Sequence, residues 1–173
     1  MKVLAFAATT SKNSINKQLA NYVAKQIEGA QVELLDINDY EIPLFSEDRE
    51  KELGQPALAK AFYQKLGEAD VIVISFAEHN GSYAAAYKNL FDWTSRINRQ
   101  VFQNKPVIML ATSPGPGGAA TVLSVAQGSA PHFSADLKGA ISVPNFYDNF
   151  DVDSGQLINK ALIDNIKTVI AKL

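Results

Sequence analysis

The chain has 173 residues with an apolar fraction of 47%, enough for one full core and too little for two ordinary domains. Its 16 Lys and Arg against 18 Asp and Glu leave a formal charge of -2 with the signs scattered, so there is no basic footprint for nucleic acid. The absence of cysteine excludes a disulfide framework, a thiolate metal site and a cysteine nucleophile, including the loop thiol of the low-molecular-weight tyrosine phosphatases, which share a similar strand and loop layout.

In chain order, KVLAFAA opens as a strand over Val3 to Ala7, too short and too soon interrupted for a signal peptide or a membrane span. A cytoplasmic protein without a membrane partner is therefore expected. A polar loop, ATTSKNSIN, leads into a helix over Asn16 to Ile27, where Leu19, Val23 and Ile27 recur at helical spacing and Gly29 stands at a C-cap position. A strand over Val32 to Asp36 is followed by an excursion, Ile37 to Gln55, whose EDREKE run reads as a solvated face. A helix over Pro56 to Gly67 precedes a β-branched strand, Val71 to Ser75, with no polar partner, as a strand covered on both faces requires.

Phe76 to Tyr83 then forms a loop before a helix over Ala84 to Ile97. The apolar Tyr87, Leu90, Phe91 and Thr94 face of that helix reads mainly as core. A strand over Val107 to Thr112 gives way to the loop TSPGPGGA and a helix over Gly118 to Ala126. After a last strand, Ala140 to Val143, the segment NFYDNFDVDSG reads as a structural turn. It lacks the regular acidic spacing and closing Glu of a calcium loop. The final helix is expected over Gln156 to Lys172.

Strict alternation of strand and helix implies an α/β three-layer sandwich with a parallel sheet and right-handed crossovers. Five such strands suggest the flavodoxin-like order 2-1-3-4-5 in one domain spanning 1–173, with its ligand at the carboxyl ends of the strands.

The loops after strands 1, 3 and 4 are therefore expected at one edge. In the first, Thr9, Thr10, Ser11, Ser14 and the amide of Asn16 offer donors at a helix N-terminus, which suits a phosphate. Ser14 alone reads equally well as the helix N-cap. In the second, Gly81 allows close backbone approach to a flat ligand, while Asn80 and Ser82 add donors and acceptors. In the third, a G-x-G-x-x-A fingerprint can be forced onto Gly115, Gly117 and Ala120, with Asp136 about 20 residues on. That fingerprint belongs after the first strand, and Asp136 precedes the last strand, so this reading is rejected.

Residues 77–93, AEHNGSYAAAYKNLFDW, resemble a segment that the NADPH-dependent FMN reductase family writes approximately as P-E-Y-N-G-S-Y-P-A-x-L-K-N-x-x-D-W. Glu78, Asn80, Gly81, Ser82, Tyr83, Ala85, Lys88, Asn89, Asp92 and Trp93 match; Ala77, His79, Ala84 and Tyr87 depart from it. The first loop is similar to the family's G-S-x-R-x-x-S-x-N at Thr9, Ser14 and Asn16. Ala8 replaces its Gly and Ser11 its Arg, with Lys12 as a substitute cation that lacks the bidentate fork. The third loop resembles S-P-G-x-x-G-G at Ser113, Gly115 and Gly118.

The resemblance implies FMN as cofactor, with NADPH or NADH as cosubstrate. It also implies a quinone, azo compound, free flavin or chromate as acceptor, and substrates that enter in turn. The implied cofactor-binding residues are Thr9, Ser11, Ser14, Ile15, Asn16, Glu78, His79, Asn80, Gly81, Ser82, Ser113, Gly115 and Gly118. No catalytic side chain beyond the flavin is implied, although His79 could stack on or bond to the nicotinamide or second substrate. A homodimer or homotetramer is expected from the same resemblance. The rival readings are a flavodoxin-type electron carrier, which is usually markedly acidic, and a receiver domain, which needs carboxylates where Ala7 and Ala8 stand.

Overall fold

The computed structural model describes residues 1–173, and its centre is the β-branched run of the third predicted strand. β3 (Val71–Phe76) is buried at every position, a pattern sustained only by a strand covered on both faces. β1 (Lys2–Ala8) and β6 (Pro106–Thr112) flank it, and β2 (Gln31–Leu35) and β7 (Asp136–Val143) form the edges. All pair in parallel in the order β2-β1-β3-β6-β7. This is the 2-1-3-4-5 flavodoxin-like order expected from the alternation of elements.

Because side chains alternate across a strand, the sheet divides its apolar residues between two helical layers. Phe6, Ile72, Ile74 and Met109 pack with residues of α3 (Ala57–Glu68), α4 (Ala85–Ile97) and α5 (Ala120–Ser129). Val3, Ala5, Val73, Ile108 and Leu110 pack with α1 (Ile15–Lys25) and α7 (Lys160–Ile170). Full burial of each large side chain in these layers contributes about 1.5–3 kcal/mol, which holds the strand ends in place for the loops that leave them.

Where the structure departs from the expected elements, short local pairings are responsible. α2 (Glu47–Leu53) forms inside the charged excursion: the Ser46 hydroxyl accepts from the Arg49 amide at 3.2 Å, and Glu47, Asp48 and Glu50 stand in the first turn, where the helix dipole favours acids. None of its residues is buried, so its charges remain a solvated face.

The last helix starts at Lys160 rather than Gln156. Gln156–Leu157 (β9) pairs with Phe150–Asp151 (β8) in a hairpin after α6 (Phe146–Asn149), and the Asn159 side chain then caps α7 by accepting from Leu162 N. The fifth strand begins at Asp136, four residues before Ala140, because its polar positions lie on a sheet edge and Lys138 reaches Asp136 at 2.8 Å. α1 ends at Lys25, and Gly29, at φ +68°, turns the chain beyond the cap rather than forming it.

Candidate cofactor site

The sheet register sets the site. Ala8 lies opposite Phe76, and Phe76 opposite Ala111, so the loops leaving β1, β3 and β6 begin at one level. One buried side chain ties them together. Asn16, only 4% exposed, accepts through Oδ1 from Ser75 Oγ at 2.7 Å and from the Thr112 amide at 3.2 Å, while its Nδ2 donates to the Thr112 carbonyl at 3.3 Å. Thr112 Oγ1 extends the chain of bonds to the Val143 carbonyl at 2.7 Å. The Asn16 side chain thus faces the strand ends and leaves its backbone amide for the cleft above.

That cleft, of about 290 Å³, is lined by Thr9, Ser11, Ser14, Ile15 and Asn16 from the first loop, Glu78 from the second and Ser113 from the third. The amides of Ile15 and Asn16 open α1 and have no intrahelical partner. No acid stands in that first turn, so the positive end of the helix is available to an anion. Ser14 does serve as N-cap, its Oγ accepting from the Lys17 amide at 3.1 Å. Thr9 Oγ1 accepts from the Ser11 amide at 3.3 Å, which shapes the loop into a tight turn of hydroxyls.

No Lys or Arg lines the cleft. Lys12 lies outside it, and the Lys17 ammonium is held 2.7 Å from Asp36. Anion recognition here rests on hydroxyls and amides. The one carboxylate present, Glu78, is engaged elsewhere, its Oε2 accepting from the Val122 amide at 2.9 Å. That amide lies in the first turn of α5, whose N-cap, Ala119, supplies no side-chain acceptor, so a residue of the second loop caps the helix that follows the third.

Residues 78–83 are a small hairpin rather than an open loop. Glu78–His79 (β4) pairs with Ser82–Tyr83 (β5), and Asn80 and Gly81 turn with φ of 52° and 74°. Two successive positive φ angles define the mirror-image turn that Asn-Gly forms best. The nearest neighbour that a Cβ on Gly81 would meet is Thr121 Cγ2 at 4.0 Å, so the space above this glycine is open. His79 pairs with Ser82 on the exposed hairpin and does not line the cleft.

The third loop is pinned from beneath. The Gly115 carbonyl accepts from Asn145 N at 2.9 Å, and Ser113 O from Phe146 N at 3.1 Å. Gly118, at φ +58°, lies against Ser142 and Pro144, and its carbonyl accepts from Ser142 Oγ at 2.8 Å. It therefore packs the loop onto β7, whereas nothing lies within 4 Å of where a Cβ on Gly115 would point.

The remaining residues of the matched motif have a structural role. Asn89 accepts from Phe45 N at 2.8 Å and donates to the carbonyls of Ile42 and Pro43, and Trp93 Nε1 donates to Pro43 O at 2.7 Å. Together they clip residues 42–45 to α4. Lys88 and Asp92 pair with each other at 2.7 Å along the same helix. Tyr87, Leu90 and Thr94 are buried, as the core reading of that face expects.

Asn13, Ala77, Thr112, Pro114 and Tyr147 also line the cleft and were not among the expected residues. Tyr147, 61% exposed, carried a signal, since an exposed aromatic just beyond the carboxyl end of the last strand falls at the binding edge of such a sheet. The others contribute mainly by position, which only the packed loops define.

A donor-rich helix N-terminus without acids, at the edge where the second and third loops also leave the sheet, with open space at Gly81 and Gly115 although neither lines the cleft itself, fits a phosphate with a planar group extending from it. The fold and this edge thus define a flavodoxin-like protein of the flavin mononucleotide-binding kind. The pattern of the NADPH-dependent FMN reductase family matches residues 1–147, and the chain belongs to that family. It is accordingly an oxidoreductase with FMN as cofactor and NAD(P)H as electron donor.

Among its relatives, the NADPH:quinone oxidoreductase of Arabidopsis thaliana is 28% identical over 180 residues, covering 100% of this chain and 90% of the relative. The 2-hydroxy-1,4-benzoquinone reductase of a Burkholderia species is 27% identical over 175 residues, covering 99% and 93%. The solved structure of the flavoenzyme FerB, an NAD(P)H:(acceptor) oxidoreductase from Paracoccus denitrificans, shares the fold with a TM-score of 0.74 at 24% identity, covering 98% of this chain and 95% of that one.

Proposed function

We propose that the first loop receives the FMN phosphate at the Ile15 and Asn16 amides and the hydroxyls of Thr9, Ser11 and Ser14, and that the second and third loops receive the flavin ring. The physiological acceptor is a quinone. When bound, FMN supplies the two-electron chemistry, taking hydride from NAD(P)H and passing electrons to the acceptor. The chain's own part is positioning. The Asn16 clamp fixes the phosphate loop relative to the third loop, Glu78 locks the hairpin to α5, and the turn at Asn80 and Gly81 presents main chain to the ring without a Cβ in the way. His79, exposed at the hairpin and outside the cleft, is in this reading a candidate to stack on or bond to the incoming nicotinamide or acceptor.

The observation that carries this reading is the convergence of loops from β1, β3 and β6 in one hydroxyl-lined cleft. Support for a quinone comes from the two reductases described above, both named for quinone substrates; azo compounds, free flavins and chromate are the family's other candidates. Residues 1–173 act as one FMN-binding domain, cytoplasmic and homodimeric in this proposal. No helix is long and apolar enough to cross a membrane.

The test is to add FMN to purified apoprotein, follow binding by flavin fluorescence, add NADPH under nitrogen and then 1,4-benzoquinone. Binding, loss of the oxidised-flavin absorbance and its return on quinone addition are expected. Binding without bleaching would instead favour an electron carrier. Gly81→Trp should lose FMN retention while the chain still folds: open space surrounds the position, and the strain of a side chain at φ +74° should lower unfolding stability by only about 1–2 kcal/mol; undiminished binding would defeat the assignment of that loop. Sedimentation showing a fully active monomer would refute the homodimer.

A further inference from the structure

A second cavity, of about 190 Å³, lies between α4 and α5 and shares no lining residue with the cleft above α1. One wall is a run of aromatic rings in contact: Phe76 and Tyr83 at 5.7 Å between centroids, Tyr83 and Tyr87 at 5.5 Å, Tyr87 and Phe91 at 5.8 Å, Phe91 and Phe133 at 4.7 Å. For comparison, an apolar cavity of about 150 Å³ accommodates benzene. At this cavity's rim stand Lys88 and Asp92, paired at 2.7 Å, so the entrance carries no net charge and suits a neutral guest.

Its one distinctive polar feature is Tyr87. The residue is 3% exposed, and its hydroxyl has no hydrogen-bond partner within the chain. No side-chain oxygen sealed inside the protein lacks a partner, so this hydroxyl opens onto the cavity its residue lines. Neighbouring Tyr83 has the Ser129 hydroxyl beside it, which itself donates to the Ala126 carbonyl at 3.1 Å. Burial pushes the Tyr87 hydroxyl well above its ordinary pKa, so it stays protonated and remains a donor. A buried hydroxyl without a partner is unfavourable unless something occupies the space in front of it.

We infer that the α4–α5 cavity binds a small neutral single-ring phenol, its ring against the aromatic wall and its oxygen accepting from Tyr87. The cavity shares no lining residue with the phosphate cleft, although Phe76 and Tyr83 bound the second loop, and its occupancy needs no turnover.

The probes are phenol and benzene, titrated at millimolar concentration into the FMN-loaded full chain and followed by ligand-observed NMR. Phenol should bind about five- to tenfold more tightly than benzene, the margin of one hydrogen bond. Tyr87→Phe should bring the two within about twofold while benzene affinity is kept, since the substitution removes one oxygen and no ring. Absence of binding by the wild-type protein would overturn the proposal, including the case in which sedimentation shows a second copy covering the cavity. An unchanged preference for phenol in Tyr87→Phe would overturn it equally.

Discussion

Asn16→Ala tests whether the site depends on one buried clamp. The substitution deletes the bonds to Ser75 Oγ, the Thr112 amide and the Thr112 carbonyl. Ser75 and Thr112 are 0% and 2% exposed, so water cannot replace the lost partners without opening the strand ends. At about 1 kcal/mol net per hydrogen bond, the loss comes to about 3 kcal/mol, and the desolvation left on the orphaned groups makes this a lower figure. Against a typical total of about 5–15 kcal/mol, such a loss is readily measured.

The assay is urea unfolding of the FMN-free protein, in which the midpoint should fall with the slope unchanged. Asn16→Asp should be about as damaging: it keeps the acceptor but loses the donor to Thr112 O and buries a carboxylate. FMN affinity should weaken in both variants through loosened loops, so that excess FMN restores the bound state. A midpoint change equivalent to less than about 0.5 kcal/mol in Asn16→Ala would refute the clamp, and stability intact with FMN binding abolished would make Asn16 a direct ligand contact instead.

Two further outcomes follow from the same geometry. Gly118→Ala should cost about 2 kcal/mol or more in urea unfolding, because its φ of +58° disfavours a side chain and a Cβ would lie 3.0 Å from Pro144 N and closer still to Ser142 Oγ; Gly117→Ala, with nothing within 4 Å, is the neutral control. The Asp36 carboxyl is held below its ordinary value of 3.8, chiefly by its hydrogen bond from Lys17. A depressed folded pKa contributes stability above the unfolded value that is lost as pH falls through the folded one. The advantage of the wild type over Asp36→Asn should therefore be present at neutral pH, be no more than about 1 kcal/mol for a pair a third exposed, and vanish well below the ordinary carboxylate range. A difference independent of pH would show that Lys17 and Asp36 do not interact energetically.

The five strands, their order and the meeting of three loops at one edge were legible in the chain because hydrophobic period and strand–helix alternation are local patterns with few compatible topologies. The Asn80-Gly81 dipeptide likewise carried its turn in its own backbone preference, although the flanking pairs, too short to show alternation, read as a loop. EDREKE hid α2 because a helix with no buried face has no apolar period to display. Gln156 and Leu157 read as helix because their pairing with Phe150 and Asp151 is invisible to a single periodic segment.

Within the site, sequence alone determined which residue types reach the edge, and tertiary structure decided what each does there. Asn16 reads as a phosphate-loop residue, yet its side chain bonds to partners 59 and 96 positions away. Glu78 reads as part of a flavin loop and caps a helix 44 positions on, while Asn89 and Trp93 hold a segment that precedes them by more than 40. Local propensity acts along the chain and is written in it. A buried polar group, by contrast, must take its partner from whatever the packed sheet brings within hydrogen-bond distance, and only the folded molecule contains that distance.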